Sequence, residues 1–149
     1  MAGNDQQSVD LGISKQTLRD IIITGNAQTL VEHAKSIGDK LGKTLTTNQI
    51  RAIFGTVRQI EMDWDDVAGQ ARQERAQRQL ILLQPKMAYR ASKEGRGGRG
   101  LQALTNVLSD SIDLVMDDKV PPAEKRERFG RFVDFFEAIL AYHTVAGGR

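Results

Sequence analysis

Apolar residues recur three and four positions apart along most of the chain, a spacing that puts them on one face of an α-helix. The clearest case is a stripe formed by Ile50, Ile53, Phe54, Val57, Ile60 and Trp64. Similar patterns predict helices at residues 16–23, 27–41, 69–92 and 101–116, and no strand-like alternation bounded by turns stands out. The chain is therefore predicted to be an all-α, single-domain helical bundle of about five to six helices.

The last predicted helix, which starts at Pro121 or Pro122, is apolar on two sides. One face carries Phe129, Phe132, Val133, Phe136, Leu140 and His143, and a second carries Phe135, Ile139 and Tyr142. A helix of this kind usually lies at the centre of a core, so we expect a long C-terminal core helix. His143 is interpreted as a core or edge histidine. Residues 1–13 are predicted to form a flexible leader, and residues 14–149 the bundle.

Two local signals refine the middle of the chain. Thr46 and Gln49 have the spacing of a capping box, in which each side chain satisfies a free backbone N–H at a helix start. Pro85 lies inside the helix predicted at residues 69–92. Proline removes a backbone donor and clashes with the preceding turn, so we expect a kink or a break near Leu83 and Gln84.

Several kinds of chemistry are disfavoured by composition. The chain has no cysteine, which excludes disulfides, thiol catalysis and cysteine-based zinc sites. Its two histidines, His33 and His143, fall on different predicted helices without a second ligand one turn away, so we expect no metal. No nucleophile, base and orienting group occur at a recognisable spacing. We therefore expect a non-catalytic protein without a cofactor or a small-molecule substrate.

Neither a membrane span nor a signal peptide is predicted. No apolar run approaches the roughly 20 residues that a span needs, and residues 1–10 are polar and acidic instead of basic and then apolar. A cytoplasmic protein is the simplest interpretation. The glycine-rich residues 95–100 formally match a dinucleotide-binding fingerprint, but a helix precedes them where that motif requires a strand. We expect a flexible loop that carries Arg96 and Arg99.

Charge is strongly segregated although the net charge is only +2. Residues 72–99 contain eight basic and two acidic residues, a net charge of +6, whereas the rest of the chain sums to −4. Lys86, Arg90 and Lys93 follow Pro85 at spacings of four and three, so they share one helix face, while Met87 and Ala91 are expected to pack inward. Such a local field attracts a polyanion. The alternative is a solvated helix face.

Aromatic residues make up only 5% of the chain, and most have core spacing. This disfavours a base-stacking platform. Tyr89, inside the basic stripe, is the exception, and its alternative interpretation is a half-buried side chain with its hydroxyl in water. If this surface binds RNA, we expect it to recognise charge and shape and not sequence.

Three segments resemble a known family. They are residues 45–51 (LTTNQIR), 82–93 (LLQPKMAYRASK) and 131–143 (RFVDFFEAILAYH). Their order and spacing are similar to the small subunits of type III-A CRISPR effector (Csm) complexes, from about Thr44 to His143. One departure concerns Ser92 and Lys93, where the family often has glycine and arginine. The charge is kept, but an arginine's bidentate phosphate contact is not.

The resemblance implies a helical bundle that stacks in several copies along a ribonucleoprotein filament, next to other effector subunits. Such subunits contact the backbones of guide RNA and target RNA, while neighbouring subunits cut. By the match, Arg51, Lys86, Arg90 and Lys93 are the expected RNA-contacting residues. Arg58, Arg96, Arg99 and Arg131 are added to them on charge and placement alone.

Two alternatives stay open at this point. The acidic patches at residues 61–66 and 110–118 would suit a scaffold subunit that binds protein. The small subunit of type III-B effector complexes is also helical and basic. A DNA-binding regulator is less well supported, because no short helix–turn–helix stands out.

Overall fold

A computed structural model describes residues 10–65, 67, 69–94 and 98–147 of the chain. Within this part there are six α-helices and one π-helical turn, and no strand. In chain order they are α1 (Lys15–Arg19), the π turn (Asp20–Thr24), α2 (Ala27–Leu41), α3 (Thr47–Asp63), α4 (Gln70–Lys93), α5 (Arg99–Val115) and α6 (Pro122–Val145). The predicted all-α fold is confirmed. No helix in the described ranges is long and apolar enough to cross a membrane.

Three of the helices, α1, α2 and α3, begin after a residue whose side chain accepts a hydrogen bond from a free backbone N–H group. Asn26 accepts a hydrogen bond from the backbone N–H of Thr29 at the start of α2. The predicted capping box of α3 is confirmed: the Thr46 hydroxyl accepts from the Gln49 N–H at 3.2 Å, and the Gln49 amide oxygen accepts from the Thr46 N–H at 2.9 Å. Pro122 opens α6, a position at which the missing N–H of proline costs nothing.

Helix α6 lies at the centre of the bundle, as its two apolar faces predict. It packs against α2, α3, α5 and the π turn, while α4 packs against α3 and α5. Most of its aromatic and aliphatic side chains are buried. A line of rings connects α3 with α6: Trp64 stacks on Phe129 with the ring centroids 5.0 Å apart, and Phe54 meets Phe136 edge-on at 5.1 Å.

The first helical segment differs from the single helix predicted at residues 16–23. It is an α-helical turn that continues as the π turn, which ends at Gly25 with φ +76°. The wider π turn accompanies the full burial of Ile21 and Ile22. Upstream, Leu11 is buried and Ile13 packs against the core. Residues 1–9 of the predicted leader lie outside the described residues.

Three neighbouring helices end against arginines of α6. The Arg126 Nε donates to the carbonyl of Trp64, the residue after α3, at 2.8 Å. Arg128, only 7% exposed, donates from Nη1 to the carbonyl of Leu114 in the last turn of α5 at 2.7 Å. The last carbonyls of a helix have no partner within it and carry its negative dipole end, so a guanidinium placed there stabilises the contact.

The third of these arginines is Arg131, which holds the π turn. Its Nη1 donates to the carbonyls of Ile22 and Ile23 at 3.2 and 2.8 Å. Gly25 is required next to it, because a Cβ there would lie 2.9 Å from the Arg131 Nε and the backbone has positive φ. Arg131 therefore fixes the N-terminal segment of the bundle to α6.

Helix α2 approaches α6 closely through Gly38. A Cβ at Gly38 would lie 2.6 Å from the Cβ of Tyr142 and 2.7 Å from the backbone nitrogen of His143. Both atoms belong to the core of α6 and cannot move alone. The absence of a side chain at Gly38 therefore sets the distance between these two helices.

Of the kink or break predicted near Leu83 and Gln84, the break is wrong, because α4 is one helix from Gln70 to Lys93 with Pro85 inside it. Proline in a helix interior costs about 3 kcal/mol. Leu80, Leu83 and Met87, on both sides of the proline, are all buried, and each contributes roughly 1.5–3 kcal/mol. Burial of this continuous face outweighs the cost, while Pro85 itself lies on the exposed side.

We expect Gly38→Ala and Gly55→Ala to change stability in opposite directions. Alanine at position 38 would collide with α6, an overpacking that costs about 1–3 kcal/mol. Gly55 lies inside α3, and apart from its chain neighbours and the backbone of its own helix nothing lies within 4 Å of the place that a Cβ would occupy there. Alanine at position 55 should therefore add about 0.5–1 kcal/mol through helix propensity. Urea unfolding followed by circular dichroism measures both. Equal effects of the two substitutions would contradict the close α2–α6 contact.

Candidate nucleic-acid interface

A groove runs between α3 and the C-terminal half of α4. Its α3 wall is formed by Asn48, Gln49 and Ala52, continued by Gly55, Thr56 and Gln59. Its α4 wall is formed by Leu83, Lys86, Tyr89, Arg90 and Lys93. Helices α3 and α4 are packed neighbours, so the groove is part of the folded surface and not a gap between mobile segments.

The three cations of the predicted post-proline stripe all line this groove. Lys86, Arg90 and Lys93 are exposed, whereas Met87 and Ala91 on the opposite face of α4 are buried, as predicted. Among the described residues, none of the three cations has a carboxylate within 4.0 Å. None of the three is therefore held in an ion pair within this part of the protein.

The facing α3 wall carries no charge. Its side chains are amides, a hydroxyl and small residues, and the acid that lines the groove is Glu94, beyond the end of α4. The sequence pattern did not identify this wall, because only the fold places α3 beside the C-terminal half of α4. The one sequence signal was that these positions fall outside the apolar stripe of α3.

Arg51 and Arg58, the predicted site residues of α3, are in different situations. Both are exposed. Arg58 forms an ion pair with Glu61 at 2.9 Å, and its guanidinium lies 5.9 Å from the centroid of the Phe54 ring. Arg51 lies on the face next to the residues that line the groove. The structure therefore leaves Arg51 available beside the groove, while Arg58 already has an acidic partner.

Arg96 and Arg99 were predicted on a flexible loop. Arg96 lies outside the described residues. Arg99 is not in a loop: it is the exposed first residue of α5, preceded by the cap residue Gly98. Gly98 fits closely against α4, since a Cβ there would lie 2.5 Å from the carbonyl oxygen of Ala91. This packing brings the start of α5 to the end of the basic stripe.

Arg131 contacts the π turn and Glu127, and it does not line the groove. Its guanidinium is occupied by the carbonyls of the π turn and lies 3.7 Å from Glu127. Its side chain is only 31% exposed. The structure does not bring Arg131 together with Lys86, Arg90 and Lys93, and the sequence could not distinguish an arginine that caps a helix end from one that faces a ligand.

Three acids of the two acidic patches have side-chain partners within the chain. Asp63 pairs with Arg72 at 3.0 Å, and Glu61 pairs with Arg58. Asp113 accepts a hydrogen bond from the Gln84 amide at 2.8 Å.

One acid outside the two patches, Asp134 on α6, has a raised pKa. The main cause is its partial burial, and the negative charge of the neighbouring Glu137 adds to it.

His143 has a structural contact, in agreement with its interpretation as a core histidine. It is fully buried, and its Nε2 lies 2.5 Å from the carbonyl oxygen of Leu45. Because a carbonyl only accepts, the ring carries its proton on Nε2. The contact fixes the chain immediately before the capping box of α3. In the described part of the chain, no group of three or more potential ligands is arranged to hold a metal ion.

Comparison with known families matches residues 24–149 to the family described as Csm2 Type III-A. This match identifies the helical bundle as a small subunit of a type III-A CRISPR complex. The chain belongs to the Csm2 family, in agreement with the resemblance of its three sequence segments. No curated protein matches the chain significantly. No solved structure does so either.

Removing the Arg131 side chain should affect folding and leave RNA binding unchanged. Arg131→Ala removes two charge-assisted hydrogen bonds, and such a bond contributes about 1.5–3 kcal/mol net. Because the Arg131 side chain is 31% exposed, water can reach the freed carbonyls, and we expect a total loss of roughly 1–3 kcal/mol of stability. Urea unfolding measures this loss. RNA affinity, measured by fluorescence anisotropy at a temperature where the variant is folded, should equal that of the parent chain. A large affinity loss without destabilisation would assign Arg131 to the interface.

Proposed function

We propose that this chain is a non-catalytic subunit that holds the sugar–phosphate backbone of RNA in the groove between α3 and α4. The proposal fits a small subunit of a type III-A effector complex. Lys86, Arg90 and Lys93 are the principal contacts, and Arg51 supports them from α3. Arg99 extends the surface at the start of α5, and Arg96 is included from its sequence position.

The observation that carries the proposal is the alignment of three unpaired cations along one groove wall. Their spacing spreads them over about 10 Å of helix axis, so each can meet a different phosphate of one strand. An unpaired lysine or arginine beside a neutral wall keeps a positive field in the groove, and that field favours a polyanion.

Binding of this kind is independent of sequence, because contacts to phosphates carry no information on base identity. Within the complex, the proposed partners are guide RNA and target RNA, other effector subunits and further copies of this chain. The proposed location is the cytoplasm, and the proposed role is to help build the filament in antiviral defence. Cleavage is assigned to other subunits.

A protein-binding role alone is less well supported by the side-chain contacts. Glu61, Asp63 and Asp113, from the two acidic patches, each have a partner within the chain. Exposed Ile81 and Leu82 on α4 offer apolar area to a neighbouring subunit, and that use is compatible with RNA binding in the groove.

The salt dependence of RNA binding tests the proposal. For single-stranded RNA, each phosphate contact contributes about 0.7 to the slope of log affinity against log salt. The triple variant Lys86→Ala, Arg90→Ala, Lys93→Ala should therefore flatten the slope by about two units. Adding Arg51→Ala should flatten it further by up to about 0.7. Fluorescence anisotropy with labelled RNA over a series of KCl concentrations measures these slopes.

The matched control removes the same charge elsewhere. Arg75→Ala, Arg78→Ala, Lys119→Ala takes away three exposed cations, two of them on α4 before Pro85. We expect this control to retain most of the parent slope. If both triple variants flatten the slope equally, RNA binding depends on the net charge of the chain and not on the cations of the groove. An unchanged slope in the groove variant would refute the site.

A further inference from the structure

Tyr89 is the one markedly exposed aromatic side chain in the part of the chain that the structure describes, with 68% of its surface accessible. The other seven aromatic residues are buried or half-buried. It is not the half-buried residue of the alternative interpretation. An exposed ring does not contribute to the hydrophobic core, so the position of Tyr89 suggests a role in binding and not in folding.

Its surroundings point to one kind of ligand. Tyr89 lines the same groove as Lys86, Arg90 and Lys93, and the small residue Ala52 belongs to the other wall. The Lys93 ammonium lies 5.9 Å from the centroid of the Tyr89 ring. A row of unpaired cations beside an exposed ring is the combination with which proteins bind single strands, since cations follow the phosphates and the ring stacks on a base.

We infer that Tyr89 stacks on an unpaired base of the bound strand, so that the groove prefers single-stranded RNA to a duplex. This inference rests on the proposed function and makes it more specific. A base inside a duplex has both faces covered by its neighbours, and the ring cannot reach it. Stacking is tolerant of base identity, because every base has a π-face. The groove therefore distinguishes paired from unpaired RNA without recognising sequence.

The experiment compares three RNA ligands of equal length. They are a labelled single strand, the same strand paired with its complement, and an abasic strand that keeps the ribose–phosphate backbone. Affinities are measured by fluorescence anisotropy with the full chain. The variants are Tyr89→Ala, Tyr89→Phe and, as a matched control, Leu82→Ala. Leu82 is exposed on the same face of α4 two turns earlier, so its truncation removes apolar surface without removing a ring.

We expect Tyr89→Ala to weaken binding of the single strand about 5- to 150-fold, the range found for one base stacked on an aromatic side chain. Binding of the duplex and of the abasic strand should not change. Tyr89→Phe, which keeps the ring, should retain the parent affinity, and Leu82→Ala should have no effect. Because Tyr89 is exposed, the variants should fold, and circular dichroism verifies this.

The outcomes separate this inference from the proposed function. If Tyr89→Ala weakens binding of all three ligands equally, or Leu82→Ala weakens it as much, the stacking assignment is refuted. If Tyr89→Ala has no effect while the triple variant of Lys86, Arg90 and Lys93 loses affinity, stacking is refuted and backbone binding stands. If neither loses affinity for any RNA, both proposals fall.

Discussion

The ends of three helical segments meet one stretch of α6, where arginine side chains donate hydrogen bonds to carbonyls that have no partner in their own helix. Arg126 binds the end of α3, Arg128 the end of α5 and Arg131 the π turn. Each contact combines a charge-assisted hydrogen bond with a favourable helix dipole. Apolar packing against α6 fixes which faces meet, and these polar contacts fix how far each helix slides along it. The relative positions of the helices therefore depend on them.

The shape of the groove between α3 and α4 depends on how these two helices are held in the bundle. Helix α3 is fixed at both ends: the capping box and the His143 contact with Leu45 hold its start, and Arg126 holds its end. Helix α4 packs against α3 and α5 through its apolar face. One wall is thus set by hydrogen bonds at defined atoms and the other largely by burial. The unpaired cations lie on the second wall.

Local pattern was sufficient for most of the fold. The periodicity of apolar residues, the capping box and the two-sided apolar character of α6 depend on neighbours in sequence, and all three are confirmed. The break at Pro85 was wrongly predicted, because the continuity of α4 depends on burial of Leu80, Leu83 and Met87 against other helices. The sequence also grouped Arg131 with the basic site residues. Arginines that cap helix ends and arginines that face solvent have the same local signature, and only tertiary contacts separate them. For the same reason, Asn48 and Ala52 were not recognised as a groove wall.

The lack of acidic partners for Lys86, Arg90 and Lys93 among the described residues also determines how this surface can vary between related proteins. Exchange of Arg128 or Arg131 would disturb a helix end, so the fold itself restricts those positions. Folding does not depend on an ion pair of the groove cations, and their replacement changes the charge of the groove without removing a contact that holds the bundle together. Mutation can therefore change the positive charge of this surface step by step, with little risk to the stability of the protein that carries it.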